Sequence, residues 1–541
     1  VCHKKKKTNL TKNVFTKVVN SIPKRKQRSI LVCRKEQYLS GCELIEIYQW
    51  TIMTLLSVKK KNEVYVTIQS AEPHVHMELS DYFTFEVPEA KFLKKNPRYK
   101  YWDGTIRLYS PGTGELYGGL MKHLQVWAEE RQYTIEYEKN DWYGDVQETN
   151  DFVSPAGIKT FMDKITREGI TPREYQYNAV YEAIKNNRKL LLSPTGSGKS
   201  LMIYSLVRYY TATNKQTLII VPTTSLVEQM VNDFIDYGWN AEDYVHKIYS
   251  GKDKNTDKPI VISTWQSIYK FPKRYFDDFD CVIGDEAHLF KSKSLTGIMT
   301  KLHNAKYRFG FTGTLDGSKT HKWVLEGLFG DCERVTKTDD LIKSGYLSKF
   351  RIKVLLCKHA PQYFESYHDE IDYLVQHRGR NNLIKNLVKD IEGNTLVLFN
   401  YIEKHGEPLL ELINSTVDPQ RKVFFVHGGT DVEDREQVRQ ITETENNAVI
   451  IASYGTFSTG INIKRLHNII FASPSKSRIR NLQSIGRVLR KGEGKDIATL
   501  YDIADDIGGQ NYTLRHLNER VNIYNEENFK YEVIKVNLRA N

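Results

Sequence analysis

Ser193-Pro194-Thr195-Gly196-Ser197-Gly198-Lys199-Ser200 brings small residues, glycines, a lysine and a hydroxyl together in one short stretch. The apolar run Leu190-Leu191-Leu192 precedes it, and the helix-like Leu201-Met202-Ile203-Tyr204-Ser205-Leu206 follows. Strand, glycine-rich loop and helix form the setting in which nucleotide phosphates are cradled. Gly196 and Gly198 let consecutive backbone N–H groups turn inward, with Pro194, Thr195 and Ser197 completing the cradle. Lys199 offers a point charge to the β and γ phosphates, and the Ser200 hydroxyl offers a ligand to Mg²⁺. Ser193 stands where the textual pattern has glycine, and a small residue fits there. A second chemical group is Cys281-Val282-Ile283-Gly284-Asp285-Glu286-Ala287-His288, an apolar strand ending in paired carboxylates. A parallel sheet sets such a strand end beside the phosphate loop. Asp285 then holds Mg²⁺ through water and Glu286 orients and deprotonates an attacking water. His288 links that site to a neighbouring lobe.

These groups need a scaffold. From Thr171 onward, apolar strands alternate with amphipathic helices, the signature of a doubly wound parallel sheet. The first series of strands is 190–192, 217–221, 260–263, 281–284 and 307–311. A second follows at 395–399, 422–426, 449–452, 469–471 and 498–502. The fold class is therefore α/β, with two tandem doubly wound parallel-sheet lobes, 141–345 (with its leading linker) and 346–541. A small α+β domain at 58–140 precedes them. In it Val64-Tyr65-Val66-Thr67-Ile68 alternates as a strand, and Ser80 to Phe85 starts a helix or hairpin. Gly118 to Arg131 reads as an amphipathic helix, and Lys139 to Pro155 as a polar, acidic linker. Between them, Asn96-Pro97-Arg98-Tyr99-Lys100-Tyr101-Trp102-Asp103-Gly104 interleaves basic and aromatic residues before a turn. Two readings stay open for this stretch. Arg98, Tyr99 and Trp102 contact nucleic acid, or the aromatics fill a small core.

The 541 residues suit about three or four domains. A hydrophobic share of 40% excludes a disordered chain. Lys and Arg number 78 against 66 Asp and Glu, a net +12 that favours a polyanionic partner, nucleic acid before membrane. The six cysteines form no C-x-x-C pair, which argues against structural zinc or a disulfide framework and suits a reducing compartment. No apolar run reaches membrane-spanning length; 44–58 comes closest, interrupted by Glu46 and Gln49. Residues 1–57 read as a basic, weakly patterned extension, either not native or without structure, with Met53 as a candidate natural start.

With both carboxylate and phosphate-loop motifs placed, the chain resembles the superfamily 2 helicases and translocases with Asp-Glu-Ala-His in motif II. Further stretches follow in that family's order. Arg173-Glu174-Tyr175-Gln176 resembles the adenine-reading Q motif, which implies Arg173 and Tyr175 at the nucleotide and Gln176 on the base edge. Pro222-Thr223-Thr224 resembles motif Ia, and Ser263-Thr264-Trp265-Gln266 the next strand-contacting motif. Thr312-Gly313-Thr314 resembles motif III. In the second lobe 396–399 resembles motif IV. Residues 453–462, with Ser453, Thr456 and Gly460, resemble motif V, Gly460 lying toward the nucleotide. Gln483-Ser484-Ile485-Gly486-Arg487-Val488-Leu489-Arg490 resembles motif VI, which implies Gln483 in the catalytic set and Arg487 and Arg490 as arginine fingers. The hydroxyls of these motifs would hold phosphate and sugar of a tracked strand, which carries no sequence information. This resemblance spans roughly 173–506.

The N-terminal stretch 96–109 is similar to the first domain of a phage family of recombination DNA helicases, a likeness running from about residue 60 to near the C-terminus. It implies an ATP- and Mg²⁺-dependent DNA helicase acting on forks, Holliday junctions and displacement loops in recombination, replication and repair. The partners it implies are single-stranded and branched DNA, together with recombination or single-strand-binding proteins, and no membrane. The location is the cytoplasm of a bacterial host. An RNA helicase stays open, because the core motifs do not read the 2′-hydroxyl. A restriction motor lacks a nuclease constellation here. A clamp or sensor without motor activity is the non-enzymatic alternative.

Overall fold

The computed structural model describes residues 30–40, 43–87, 90, 94–97, 100–249, 256–460, 463–492, 494–508 and 510–538. Within the stretch read as an extension, β1 (Ile30–Ser40) and β2 (Glu43–Met53) pair as an antiparallel hairpin, with Ile30 opposite Met53. Their runs of β-branched and aromatic residues suit strands. Residues 1–29 lie outside the described residues.

The small domain is built on β3 (Leu55–Lys60) and β4 (Tyr65–Ser70), so its sheet begins before residue 58. Helix α1 (Pro73–Tyr82) follows, then β5 (Thr84–Glu86), β6 (Thr105–Arg107), β7 (Tyr109–Ser110), β8 (Glu115–Tyr117), α2 (Met121–Glu130) and β9 (Thr134–Glu138). Of the helix or hairpin expected to start over Ser80 to Phe85, no helix starts there, since Ser80 lies in the last turn of α1, while β5 begins at Thr84 and pairs antiparallel with β6. Pro73, with its fixed φ and missing N–H, opens α1 a full seven residues before Ser80. The main sheet has the order β7-β8-β4-β3-β9, while β5 and β6 pair apart from it. Leu56, Val58, Val66 and Ile68 alternate onto its buried face.

Lobe 1 starts with α3 (Pro155–Ile165) and α4 (Glu174–Asn186). It continues through β10 (Arg188–Leu192), α5 (Lys199–Ala212), β11 (Thr217–Val221), α6 (Thr224–Asp236), β12 (Val245–Ile248), β13 (Ile260–Thr264), β14 (Cys281–Asp285), β15 (Tyr307–Thr312), α7 (Lys319–Phe329) and β16 (Cys332–Arg334). Lobe 2 contains β17 (Lys349–Lys358), α8 (Arg378–Asp390), β18 (Thr395–Phe399), β19 (Val423–Val426), β20 (Val449–Ser453), α9 (Tyr454–Gly460), β21 (Asn468–Phe471), α10 (Arg478–Val488), β22 (Ile497–Asp506), α11 (Tyr512–Glu526) and β23 (Tyr531–Asn537). Both sheets are seven-stranded and parallel, ordered β12-β13-β11-β14-β15-β10-β16 and β19-β20-β18-β21-β22-β17-β23. Numbered within each lobe, the two orders are identical, so one doubly wound plan is used twice. β11, β13 and β18 are buried along their whole length, as strands covered on both faces must be. Among the described residues no helix is long and apolar enough to cross a membrane.

The small domain does not hang from a linker. One apolar cluster contains Leu56, Val58, Leu124 and Trp127 of that domain together with Leu218, Ile220, Val282 and Phe329 of lobe 1. Trp323 on α7 packs against Tyr82, Phe83 and Phe85, and its ring lies 4.0 Å from that of His123 on α2. His123 Nε2 also lies 2.8 Å from Glu326. Gly119 approaches so closely that an added Cβ would fall 1.9 Å from the Glu326 carbonyl oxygen. The stretch read as a linker is pinned as well. Asn140 donates to Lys60 O at 2.7 Å, Asn187 donates to Glu148 O at 2.8 Å, and Lys306 pairs with Glu148. Trp323→Ala is expected to lower unfolding free energy by about 3–5 kcal/mol, as large-to-small core changes do. Denaturant unfolding reads it, and a loss below about 1 kcal/mol would contradict this packing role.

Candidate active site between the lobes

Parallel pairing aligns the chemical groups. β15 lies between β14 and β10, with Asp285 opposite Phe311 and Leu192 opposite Thr312. The phosphate loop, the carboxylate pair and Thr312-Gly313-Thr314 thus emerge side by side at the C-terminal edge of the sheet. Gly196 and Gly198 have φ of +84° and +78°, which only glycine adopts cheaply. Glu286, not a glycine, has φ +50°, a left-handed conformation of the kind concentrated at functional sites.

Lys199 Nζ donates to Glu286 Oε1 at 3.1 Å. Burial opposes ionisation of Glu286, yet Lys199 and His288 outweigh it and hold the carboxyl well below the usual range. Burial, with the Glu286 charge added, pushes Asp285 upward against the pull of Lys199. His288 Nδ1 lies 3.2 Å from Glu286 Oε2 and 3.0 Å from Thr312 Oγ1. His288 therefore ties motif II to motif III within lobe 1, and it also lines the cleft that Gln483 borders from lobe 2. The Ser200 hydroxyl lies 3.0 Å from that of Tyr237 and also meets Asp233, whose carboxyl burial raises to about 6 despite that contact.

A cleft of about 640 Å³ is lined by the phosphate loop, Lys199, Ser200, Asp285, Glu286 and His288 from lobe 1 and by Gln483, Arg487 and Arg490 from lobe 2. Burial, with Arg490 beside it, brings the Arg487 guanidinium down to about 10. Two neighbouring buried guanidiniums repel, and an anion in the cleft relieves both. The lobes meet tightly here. A Cβ on Gly486 would lie 2.6 Å from Thr195 Cβ, and one on Gly196 2.7 Å from Leu347 Cδ2. At the far side Glu527 accepts from Thr338 at 3.3 Å and lies within 3.7 Å of both Arg334 and Arg478.

Other expected residues fall differently. Both ends of the Gln176 amide are engaged by the protein in this structure. Its Nε2 donates to Ser197 O at 2.8 Å, and its Oε1 accepts from Arg173 N at 2.7 Å. Tyr175 donates to Ser197 O at 2.9 Å and Arg173 to Gly196 O at 3.1 Å. These three hold the phosphate loop from behind. Ser263 and Thr312 are fully buried with their hydroxyls bonded inside the protein, so neither reaches a strand in this conformation. Thr264, Thr314 and Thr456 are also buried, and Ser453 bonds Thr456 at 2.8 Å. Thr224 and Gln266 are exposed, and Pro222, Thr223 and Trp265 half-buried. Gly460 ends α9. Trp102 folds inward, its indole donating to Thr105 O at 2.9 Å, while Tyr101 is 92% exposed with the Lys100 ammonium above its ring. Arg98 and Tyr99 lie outside the described residues. Sequence reasoning missed Asp233, Gln229 and Lys464, all of which line the cleft. Ser225, Gln229 and Asp233 recur every fourth residue along α6, a polar stripe that could have signalled the first two.

Two RecA-like lobes closing on a phosphate loop, with carboxylates on one side and arginines on the other, define a two-lobed phosphate-loop motor core. Family models match in three stretches: "DNA helicase UvsW, N-terminal" at 56–160, "Type III restriction enzyme, res subunit" at 169–317 and "Helicase conserved C-terminal domain" at 379–492. The ATP-dependent DNA helicase uvsW of Enterobacteria phage T4 is 33% identical over 506 residues, 88% of this chain and 98% of that one. The chain belongs to the family of that helicase. The crystal structure of T4 UvsW is 32% identical, covers 90% of this chain and 100% of that chain, and has a TM-score of 0.47. The structure described as "The fragment structure of a putative HsdR subunit of a type I restriction enzyme from Vibrio vulnificus YJ016" shares the fold, with TM-score 0.53, 16% identity and coverage of 94% and 92%.

Gly486→Ala is expected to force the lobes apart and cut nucleotide turnover by about tenfold or more, since a misplacement of roughly 1 Å can cost about a hundredfold. Steady-state hydrolysis checks it, and a rate within about twofold of the parent would remove Gly486 from the closing contact.

Proposed function

We propose that this chain is an ATP-dependent DNA helicase and translocase that unwinds or branch-migrates branched DNA in recombination, replication and repair, working in the cytoplasm of a bacterial host. The observation that carries the reading is the single cleft in which Lys199 and Glu286 face Arg487 and Arg490 across the lobe boundary.

Each residue has a role that follows from its place. Phosphates seated in the loop compete for the Lys199 ammonium and release Glu286 from it. Parting from Lys199 raises the carboxylate's proton affinity, and it accepts a proton from water as that water attacks the γ-phosphate. Ser200 and Asp285 present a hydroxyl and a carboxylate to one part of the cleft, an oxygen donor set that suits Mg²⁺. Bound there, Mg²⁺ would neutralise charge on the phosphates. Arg487 and Arg490 stabilise the charge that builds on the transferred group, a contribution of roughly 10³–10⁵ in rate for such arginines. Gln483 lies beside them. Because the arginines arrive from lobe 2, hydrolysis is linked to lobe closure, and closure and opening on a gripped strand produce stepping.

The exposed Thr224 and Gln266 are placed to touch the strand's backbone, and Tyr101 with Lys100 offers a stacking surface on the small domain. DNA rather than RNA is supported by the family's T4 member, which is a DNA helicase. Recombination and single-strand-binding proteins are the partners this role calls for.

Hydrolysis measured without polymer and with single-stranded DNA, duplex, a four-way junction and RNA, at fixed salt, tests the reading. Strong stimulation by single-stranded or branched DNA and little by RNA is expected. Stimulation by RNA alone would make it an RNA helicase, and no hydrolysis with any of them would favour a clamp. Lys199→Ala is expected to abolish hydrolysis with DNA binding largely kept, and turnover near the parent rate would refute the loop's assignment. DNA affinity should fall steeply with salt, by about 10³-fold or more between 50 and 200 mM if about six phosphates are contacted. A flat response would contradict backbone tracking.

A further inference from the structure

Arg490 and Lys464 enter the nucleotide cleft from two separate segments of lobe 2. Arg490 follows α10, and Lys464 sits in the loop before β21. Their backbones converge on one buried ammonium. Lys495 Nζ donates to Arg490 O at 2.8 Å, to Lys464 O at 3.3 Å and to Val488 O. Val488 is the last residue of α10, where a cation is favoured by the helix dipole, and Arg490 O, two residues on, accepts from Ser348 Oγ at 3.4 Å as well. The three donors of an ammonium match these three acceptors. Lys495 is 5% exposed, so a lysine here is retained at a solvation cost that the carbonyl cage offsets.

The segment is anchored on its other side too. Leu347 forms a β-bridge with Arg490, and Ser348 donates to Leu489 O at 2.8 Å. Leu347 is also the side chain that meets Gly196 of the phosphate loop. Gly492 lets the chain turn against Lys464, since a Cβ there would lie 3.0 Å from the Lys464 carbonyl oxygen.

We propose that Lys495 is a positioning residue that sets Arg490 and Lys464 together at the nucleotide, and that Lys464 is a further phosphate-facing cation of the cleft. This rests on the reading of the cleft as the ATP site. Burial, opposed by Glu443, brings the Lys495 amine down to about 7, which is the cost of shutting it off from water, while the three carbonyls favour its charged form. Lys495 touches no substrate. It acts by fixing two backbone segments whose side chains do.

A double-mutant cycle tests it. Lys495→Met is made in the parent and in an Arg490→Ala background, with ATP hydrolysis measured at saturating DNA and thermal unfolding recorded for each variant. Lys495→Met alone is expected to lower kcat about tenfold, and by less than about twofold once Arg490 is gone, because the residues act as one unit. An equal fold-loss in both backgrounds, or an unchanged kcat, would overturn the positioning role. Lys464→Met, altering an exposed side chain, is expected to raise KM for ATP about fivefold with unchanged thermal unfolding. Unchanged kcat and KM would overturn its part, and this variant decides the matter if Lys495→Met does not fold. Parent-like hydrolysis by Lys199→Ala would sink the ATP reading itself. Lost hydrolysis there, with independent effects in the cycle, would sink only the present proposal.

Discussion

The ion pair between Lys199 and Glu286, 3.1 Å long, joins residues 87 positions apart in the chain and exists because β14, β15 and β10 run parallel and adjacent. Parallel strands deliver all their following loops to one edge. The lysine's charge and the carboxylate's proton affinity are therefore set by each other before any substrate enters. Thr312 joins the same arrangement through His288, so the loops after β10, β14 and β15 form one hydrogen-bonded unit. The left-handed backbone at Glu286 is held by that unit and aims its carboxylate back toward the loop.

Lobe closure adds a steric constraint to this electrostatic one. Gly486 and Gly196 are the points where one lobe's backbone meets the other side's side chains, and each lacks the Cβ that would hold the surfaces apart. The positive charge of Arg487 and Arg490 is brought to within the same cleft as Lys199. Such crowding of cations is unfavourable in itself, and the carboxylates on lobe 1 offset part of it. A polyphosphate is the ligand class that the remainder suits.

The small domain extends lobe 1 rather than forming a separate body. Its core and one face of the lobe 1 sheet are a single apolar cluster, with Trp323 at the seam. Helix α7 carries that tryptophan and also His321, which lies 2.9 Å from the His288 carbonyl oxygen. Whatever the small domain grips is thereby held in fixed geometry relative to the nucleotide-binding lobe.

The phosphate loop, the carboxylate pair, the motif VI arginines and ten sheet strands were legible because each is a local pattern: a residue spacing, or an apolar run bounded by turns. β16 has only three residues, β12 places the polar His246 and Lys247 between its two buried ends, and β17 and β23 expose too many residues to look like core strands. Which way a side chain turns was not legible. Trp102 and Tyr101 are adjacent and both aromatic, yet one is folded in and the other stands in solvent. Gln176 has the spacing of a base reader, but the phosphate loop's carbonyls, brought close by α4 packing, take its amide. Lys495 carries no motif at all, and its partners are set by where α10 ends. The sequence by itself determined the class of chemistry, since residue types and local spacing decide what can bind phosphate and activate water. The tertiary structure alone decided which hydroxyls, amides and ammoniums face the cleft, because those choices depend on neighbours that the chain brings together from more than one lobe.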